Sequence, residues 1–146
     1  MAEKIDLLKL LEEGKSVSIE PIGTSMYPLF IERKDRAIVV PVSLVKRKLK
    51  RSDVCVYISA NGKLVIHRIF KTTKDGYYFV GDHQVEIEGP VPKENVKGLM
   101  VGFVRRGKEF SAQNVLYIAL SRVWLFIRPI RLKLIKIGSF VKRCIN

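Results

Sequence analysis

Residues 53–70, DVCVYISANGKLVIHRIF, limit the choice of fold more than any other stretch of this chain. Two apolar, β-branched runs flank Asn61-Gly62, the strongest short-range signal for a tight β-hairpin. The same short, strand-like character recurs around it. SVSIEPIG (16–23), RAIVVPV (36–42), DGYYFVGD (75–82) and VKGLMVGFVRRGKEF (96–110) lie between Gly, Pro and Asn turn signals. About six to eight strands with no helices between them predict a mainly β core of barrel or sandwich-like type. With 146 residues, the chain has room for one such core but not two.

Helical patterns flank this β portion. Ile5, Leu7, Leu8, Leu10 and Leu11 alternate with polar residues as a short amphipathic helix requires, and Gly14 is placed to end it. The predicted organisation is an N-terminal helix (1–15), a β domain (16–110) and a basic amphipathic helical region (111–146). The first sixteen residues, MAEKIDLLKLLEEGKS, mix acids among the leucines and contain neither a signal peptide nor a membrane anchor. That composition predicts a cytoplasmic protein.

Charge separates the two ends of the chain. The formal charge is +13, and from Phe110 onward there are seven Lys/Arg and no Asp/Glu. An excess of this size predicts an anionic partner. Val115–Ile127 holds only Ser121 and Arg122 as polar residues, with Asn114 placed as its cap. Thirteen helical residues span roughly 20 Å, short of the ~30 Å of a bilayer core. Beyond Arg128-Pro129, IRLKLIKIGSFVKR alternates apolar and basic residues. Two arrangements fit: a helical hairpin packed on the β core, or helices in a membrane interface with Trp124, Leu125 and Phe126 immersed. A second basic run, KRKLKR (46–51), reads as a solvated loop or as a phosphate or lipid-headgroup contact.

Cys55 lies in an apolar run and is expected to be a buried thiol. Cys144 is far from it, and His67 and His83 lack metal-ligand spacing, so no metal or cofactor is predicted. The remaining chemistry centres on a few side chains. Ser25 sits in PIGTSMYPLF, after a conformationally free Gly23 and before Pro28, which restrains Tyr27. A serine hydroxyl needs a base to attack at neutral pH. His67, on the parity of Val65 and Ile69, is either a satisfied core histidine or that base. His83 follows Gly81-Asp82 in a turn. Asp82 is either an orienting acid for an imidazole or a turn residue bonded to nearby backbone.

In order along the chain, GTSMYP, RSDVCVYIS, GKLVIHRIF and GYYFVGDHQVEIEGPVPKENVKGLMVGFV resemble the S24/S26 serine peptidase superfamily, which includes signal peptidases and self-cleaving SOS-type repressors. The resemblance covers roughly residues 17–104. It implies Ser25 as nucleophile, His67 as base in the histidine branch, and Asp82 as the acid orienting the imidazole, with Glu88 as the rival. Signal peptidases commonly carry a serine two residues before the nucleophile. Here that position is Gly23, which leaves oxyanion stabilisation and binding to the Ser25 amide, Thr24 and Met26. Losing one such donor can cost about 10²–10³ in rate.

The resemblance therefore implies a serine endopeptidase cleaving a leader or precursor peptide. It would lie peripherally on the inner face of the cell membrane, beside a transporter or maturation enzyme. A non-catalytic peptide-binding or regulatory module on the same fold is the alternative. Nucleic acid is disfavoured as a partner because no helix-turn-helix precedes the β domain and the basic residues lie among apolar ones.

Overall fold

The computed structural model describes residues 2–28 and 30–145, with side chains from Leu7 onward; the side chain of Ile5 lies outside the described residues. Helix α1 (Ala2–Glu12) is followed by strands β1 (Val17–Ile19), β2 (Asp35–Pro41), β3 (Val54–Ile58), β4 (Leu64–Thr73), β5 (Gly76–Val80), β6 (Ile87–Val91), β7 (Val96–Arg105) and β8 (Lys108–Ser111). Helices α2 (Val115–Phe126) and α3 (Arg128–Ile145) complete the chain. No described helix is long and apolar enough to cross a membrane.

Local chemistry sets the element ends. Gly14, at φ 80°, closes α1 in a Schellman arrangement: its own N–H donates to Leu11 C=O at 3.1 Å and that of Lys15 to Leu10 C=O at 2.9 Å. The Asn61-Gly62 signal does mark the β3–β4 hairpin, although the loop is longer than two residues. Gly62 N–H donates to Ser59 C=O, Ser59 N–H donates to Lys63 C=O, and Gly62 takes φ 78°. The Asn114 side chain accepts from the Leu116 and Tyr117 amides and caps α2.

The eight strands form one antiparallel sheet in the order β1-β2-β7-β3-β4-β5-β6. β7 is its hub. One edge pairs with β2 from Gly98 to Arg105, with one register shift; the other carries β3 as far as Leu99 and β8 from Gly102 onward. The sheet is open, with β1 and β6 as its ends, so the expected barrel-type closure is not formed by strand pairing. The end strands explain this: β1 has only three residues, and β6 carries Pro90, which lacks a ladder donor and suits an edge.

Both faces of the central strands are covered. Val54 and Val56 of β3 join Met26, Phe30, Val39 and Met100 in one apolar cluster, against which Leu7, Leu10 and Leu11 of α1 pack. Cys55 and Tyr57, on the opposite parity, join Ile69, Phe79 and Leu99 in a second. Burial on two faces accounts for an unbroken apolar VCVYI where a half-exposed strand would alternate. Cys55 is fully enclosed, as expected, and burial pushes its thiol pKa well up; Cys144 is exposed on α3.

The helical region lies more lightly on this core. α2 buries only Ser121 and Leu125, and α3 buries none of its described side chains.

Candidate active site

Ser25 lies in the connection between β1 and β2. Met26 and Phe30, each 2 % exposed, fix that segment to the core, and Phe30 N–H donates to Met26 C=O at 2.9 Å. Met26 therefore places its side chain inside the core, while Thr24 is exposed and Ser25 half-buried. Gly23 adopts φ 88°, in the left-handed region. Although a methyl there would meet no atom within 4 Å, the backbone itself disfavours any other residue, a physical reason for glycine at this position. Ser25 lines a groove of about 550 Å³ with Ser18, Ile19, Pro21, Leu64 and Ile66. Its hydroxyl has no hydrogen-bond partner among the described residues.

The GDHQ turn touches this segment through its backbone. His83 N–H donates to Ser25 C=O at 2.9 Å, and the His83 ring meets Tyr27 edge-on at 5.8 Å. Gly81 permits the approach, since a methyl at that position would stand 2.7 Å from the Ser25 carbonyl oxygen.

Asp82 does not bond to His67. Its carboxylate forms a two-pronged pair with Arg68, Nε to Oδ1 at 2.7 Å and Nη2 to Oδ2 at 2.8 Å, and each side chain is 1 % exposed. Burial by itself would lower the Arg68 pKa, but the hydrogen bonds and charge of Asp82 outweigh it and raise it. Arg68 Nη1 also donates to Ser52 C=O at 2.9 Å. The Asp82 carbonyl accepts from Trp124 Nε1 and Arg131 Nη1, each at 3.0 Å, and the Arg131 guanidinium lies 3.8 Å over the Trp124 ring. The C-terminal helices thus grip the turn that touches Ser25.

His67 faces the opposite way from Arg68 and Ile66. Its Nδ1 is 3.1 Å from Tyr57 Oη, and that hydroxyl donates to Glu88 Oε2 at 2.7 Å. Glu88 Oε1 accepts from Ala60 N–H at 3.1 Å, and the Tyr57 ring stacks on Phe79 at 4.0 Å. A phenol has one proton to donate, and Tyr57 gives it to Glu88. Towards His67 it can only accept, which places a proton on Nδ1 and leaves the Nε2 lone pair free. A neutral imidazole of this tautomer is what a general base requires. Burial lowers the His67 pKa, while the charges of Glu88 and Asp82 raise it and only partly offset that.

The structure thus brings the predicted residues together in two groups. Ser25 is tied to the Asp82 turn through backbone; His67 is tied to Glu88 through Tyr57. No hydrogen bond joins Ser25 to His67, and no group of metal-binding side chains occurs among the described residues. Tyr57 escaped the reading of the sequence, yet the hairpin holds the clue. Pairing of Cys55 with His67 and of Tyr57 with Val65 makes Tyr57 a diagonal neighbour of His67 on one face. Comparison with protein-family models, curated proteins and solved structures found no match to this chain.

Proposed function

We propose that this chain is a serine endopeptidase of the S24/S26 kind, with Ser25 as nucleophile and His67 as general base. The observation that carries the reading is His67 itself: a half-buried imidazole whose Nδ1 is committed to a tyrosine–carboxylate pair and whose Nε2 is free. A satisfied core histidine would also be hydrogen-bonded; what supports the base reading is the unpartnered Nε2 beside a committed Nδ1. In the proposed reaction Nε2 accepts the Ser25 hydroxyl proton as Oγ bonds to the scissile carbonyl carbon. The C–N bond then breaks as the same proton passes to the leaving amine, and water releases the acyl group by the reverse transfers. Glu88, acting through Tyr57, takes the orienting role that the resemblance gives first to Asp82. Because His67 faces away from Ile66, which lines the Ser25 groove, the reaction requires a rearrangement that carries Oγ to Nε2 rather than the tightening of an existing hydrogen bond. In this reading the Ser25 amide and Thr24 would receive the oxyanion.

A leader or precursor peptide lying extended in the groove beside Ser25 suits its apolar lining of Ile19, Pro21, Leu64 and Ile66. The acid-free, basic C-terminal region supports a peripheral site on the anionic inner face of the membrane. Reaction with a fluorophosphonate probe tests the chemistry without knowledge of the substrate. Labelling should map to Ser25 and disappear in both Ser25→Ala and His67→Ala. Equal labelling of the Ser25→Ala protein would end the peptidase reading. The separation of Ser25 from His67 favours one alternative, a peptide-binding module on the same fold; it predicts peptide binding in the groove and no labelling at all.

A further inference from the structure

A second groove, away from the serine, lies between the 46–53 loop and α2. It measures about 590 Å³, and its walls differ in character: Lys50, Arg51, Ser52 and Arg122 are polar, Val123 and Phe126 apolar. The cations in it lack acids. The loop's one carboxylate, Asp53, is occupied by Arg47 at 2.7 and 3.0 Å, and Lys50, Arg51 and Arg122 form no ion pair among the described residues. Arg51 is held from another side, its guanidinium 5.6 Å from the Phe70 ring centroid. Arg128, at the start of α3, approaches the same ring at 5.4 Å. Three cations from two segments therefore line the groove with no ion-pair partner among the described residues, while Arg128 shares the Phe70 ring with Arg51 and donates to the Val85 carbonyl. Such a cluster raises the local positive potential and favours an anion.

The apolar wall narrows the choice of anion. Val123 and Phe126 are 54 % and 80 % exposed, and they continue into Val115, Leu116 and Leu120 on the outer face of α2. A cationic recess that opens onto water-facing aliphatic surface matches an amphiphile, with its phosphate in the recess and its chains on the helix. Nucleic acid and free phosphate match only the first half.

We propose that this groove binds the headgroup phosphate of an anionic phospholipid, whose acyl chains lie along the exposed face of α2. The proposal rests on the membrane-surface reading above and gives it a specific site; it does not depend on the peptidase chemistry. The α3 helix adds a less specific contact. Ile130, Leu134, Ile137, Val141 and Ile145 recur at helical spacing, with Lys133, Lys136, Lys142 and Arg143 outside that stripe.

The test is titration of the full chain with monomeric short-chain phosphatidylglycerol, followed by NMR of the arginine side chains and of Phe126. One lipid should saturate the groove signals. The triple variant Lys50→Gln/Arg51→Gln/Arg122→Gln should weaken that binding at least about tenfold, whereas Lys133→Gln/Lys136→Gln/Lys142→Gln should leave it within about twofold. Unchanged circular dichroism in both variants shows that folding is not the cause. Equal weakening by both triples would reduce the groove to general electrostatics and overturn the site. Inorganic phosphate or duplex DNA saturating the same signals as tightly as the lipid would overturn it too. Co-sedimentation with phosphatidylglycerol vesicles separates the two levels: none at all removes the membrane reading, while co-sedimentation with no saturable groove signal removes only the site.

Discussion

The turn carrying Asp82 and the edge strand carrying Glu88 present two acids six residues apart, in opposite circumstances. Asp82 is enclosed, gripped by Arg68, and its backbone carbonyl is held by Trp124 and Arg131. Glu88 lies on β6 at the edge of the sheet, half-buried, and holds the Tyr57 hydroxyl and a backbone amide. The family resemblance offers both as the acid for His67. What separates them is the partner: a carboxylate neutralised by a buried guanidinium keeps a turn in place, whereas one bonded to a phenol can set the proton position on an imidazole. Being next to a motif that resembles a catalytic one does not by itself give an acid a catalytic role.

The largest test of that contrast is Asp82→Asn. It leaves the Arg68 charge enclosed without its counter-ion and should destabilise the protein by about 3–5 kcal/mol in urea unfolding. Glu88→Gln, at the sheet edge, should change stability by no more than about 1 kcal/mol. If Asp82→Asn unfolds like the parent chain and only cleavage suffers, the roles are exchanged. Next in size is Tyr57→Phe. It removes the acceptor for the Nδ1 proton, so the imidazole loses its fixed tautomer; cleavage should fall about tenfold while Ser25 remains present to be labelled. Nitrogen NMR of His67 checks the cause directly. The parent should show Nδ1–H, and an Nε2–H signal in the parent would remove Tyr57 and Glu88 from the mechanism.

The smallest effects are in pH. With the His67 pKa lowered by burial, the folded chain binds this proton more weakly than the unfolded one. The stability linked to this group is therefore present above the ordinary imidazole value of about 6.5 and is lost as pH falls through the lower folded value. Cleavage should follow the same direction, with its acid limb displaced below the ordinary imidazole range. Tyr57, Glu88 and Asp82 are the groups acting on it. Because the Glu88 charge raises the His67 pKa, Glu88→Gln should move the limb further towards acid; a limb that stays in place would place Glu88 outside the site.

Much of this was legible from residues alone. The hairpin at Asn61-Gly62, the end of α1 at Gly14 and the Asn114 cap are local events, each fixed by one or two side chains and little affected by the rest of the fold. β6 was not legible, because Gly89-Pro90 reads as a turn and only its position at the sheet edge makes it a strand. Closure of the sheet was equally beyond reach, since it depends on which strands lack a second neighbour. In the candidate site, Ser25, His67 and Asp82 were visible as residue types in order. Their partners were not: the Arg68–Asp82 pair spans fourteen positions and the Tyr57–Glu88 bond thirty-one. Only the first half of the second relation, Tyr57 beside His67, follows from strand register.

The two cysteines have a practical consequence. With Cys55 sealed between strands and Cys144 exposed near the end of α3, the natural sequence offers a thiol reagent a single reactive address. A polarity-sensitive maleimide dye would attach there with no mutation. Its emission colour would then report whether the last turn of that helix rests in water or in lipid.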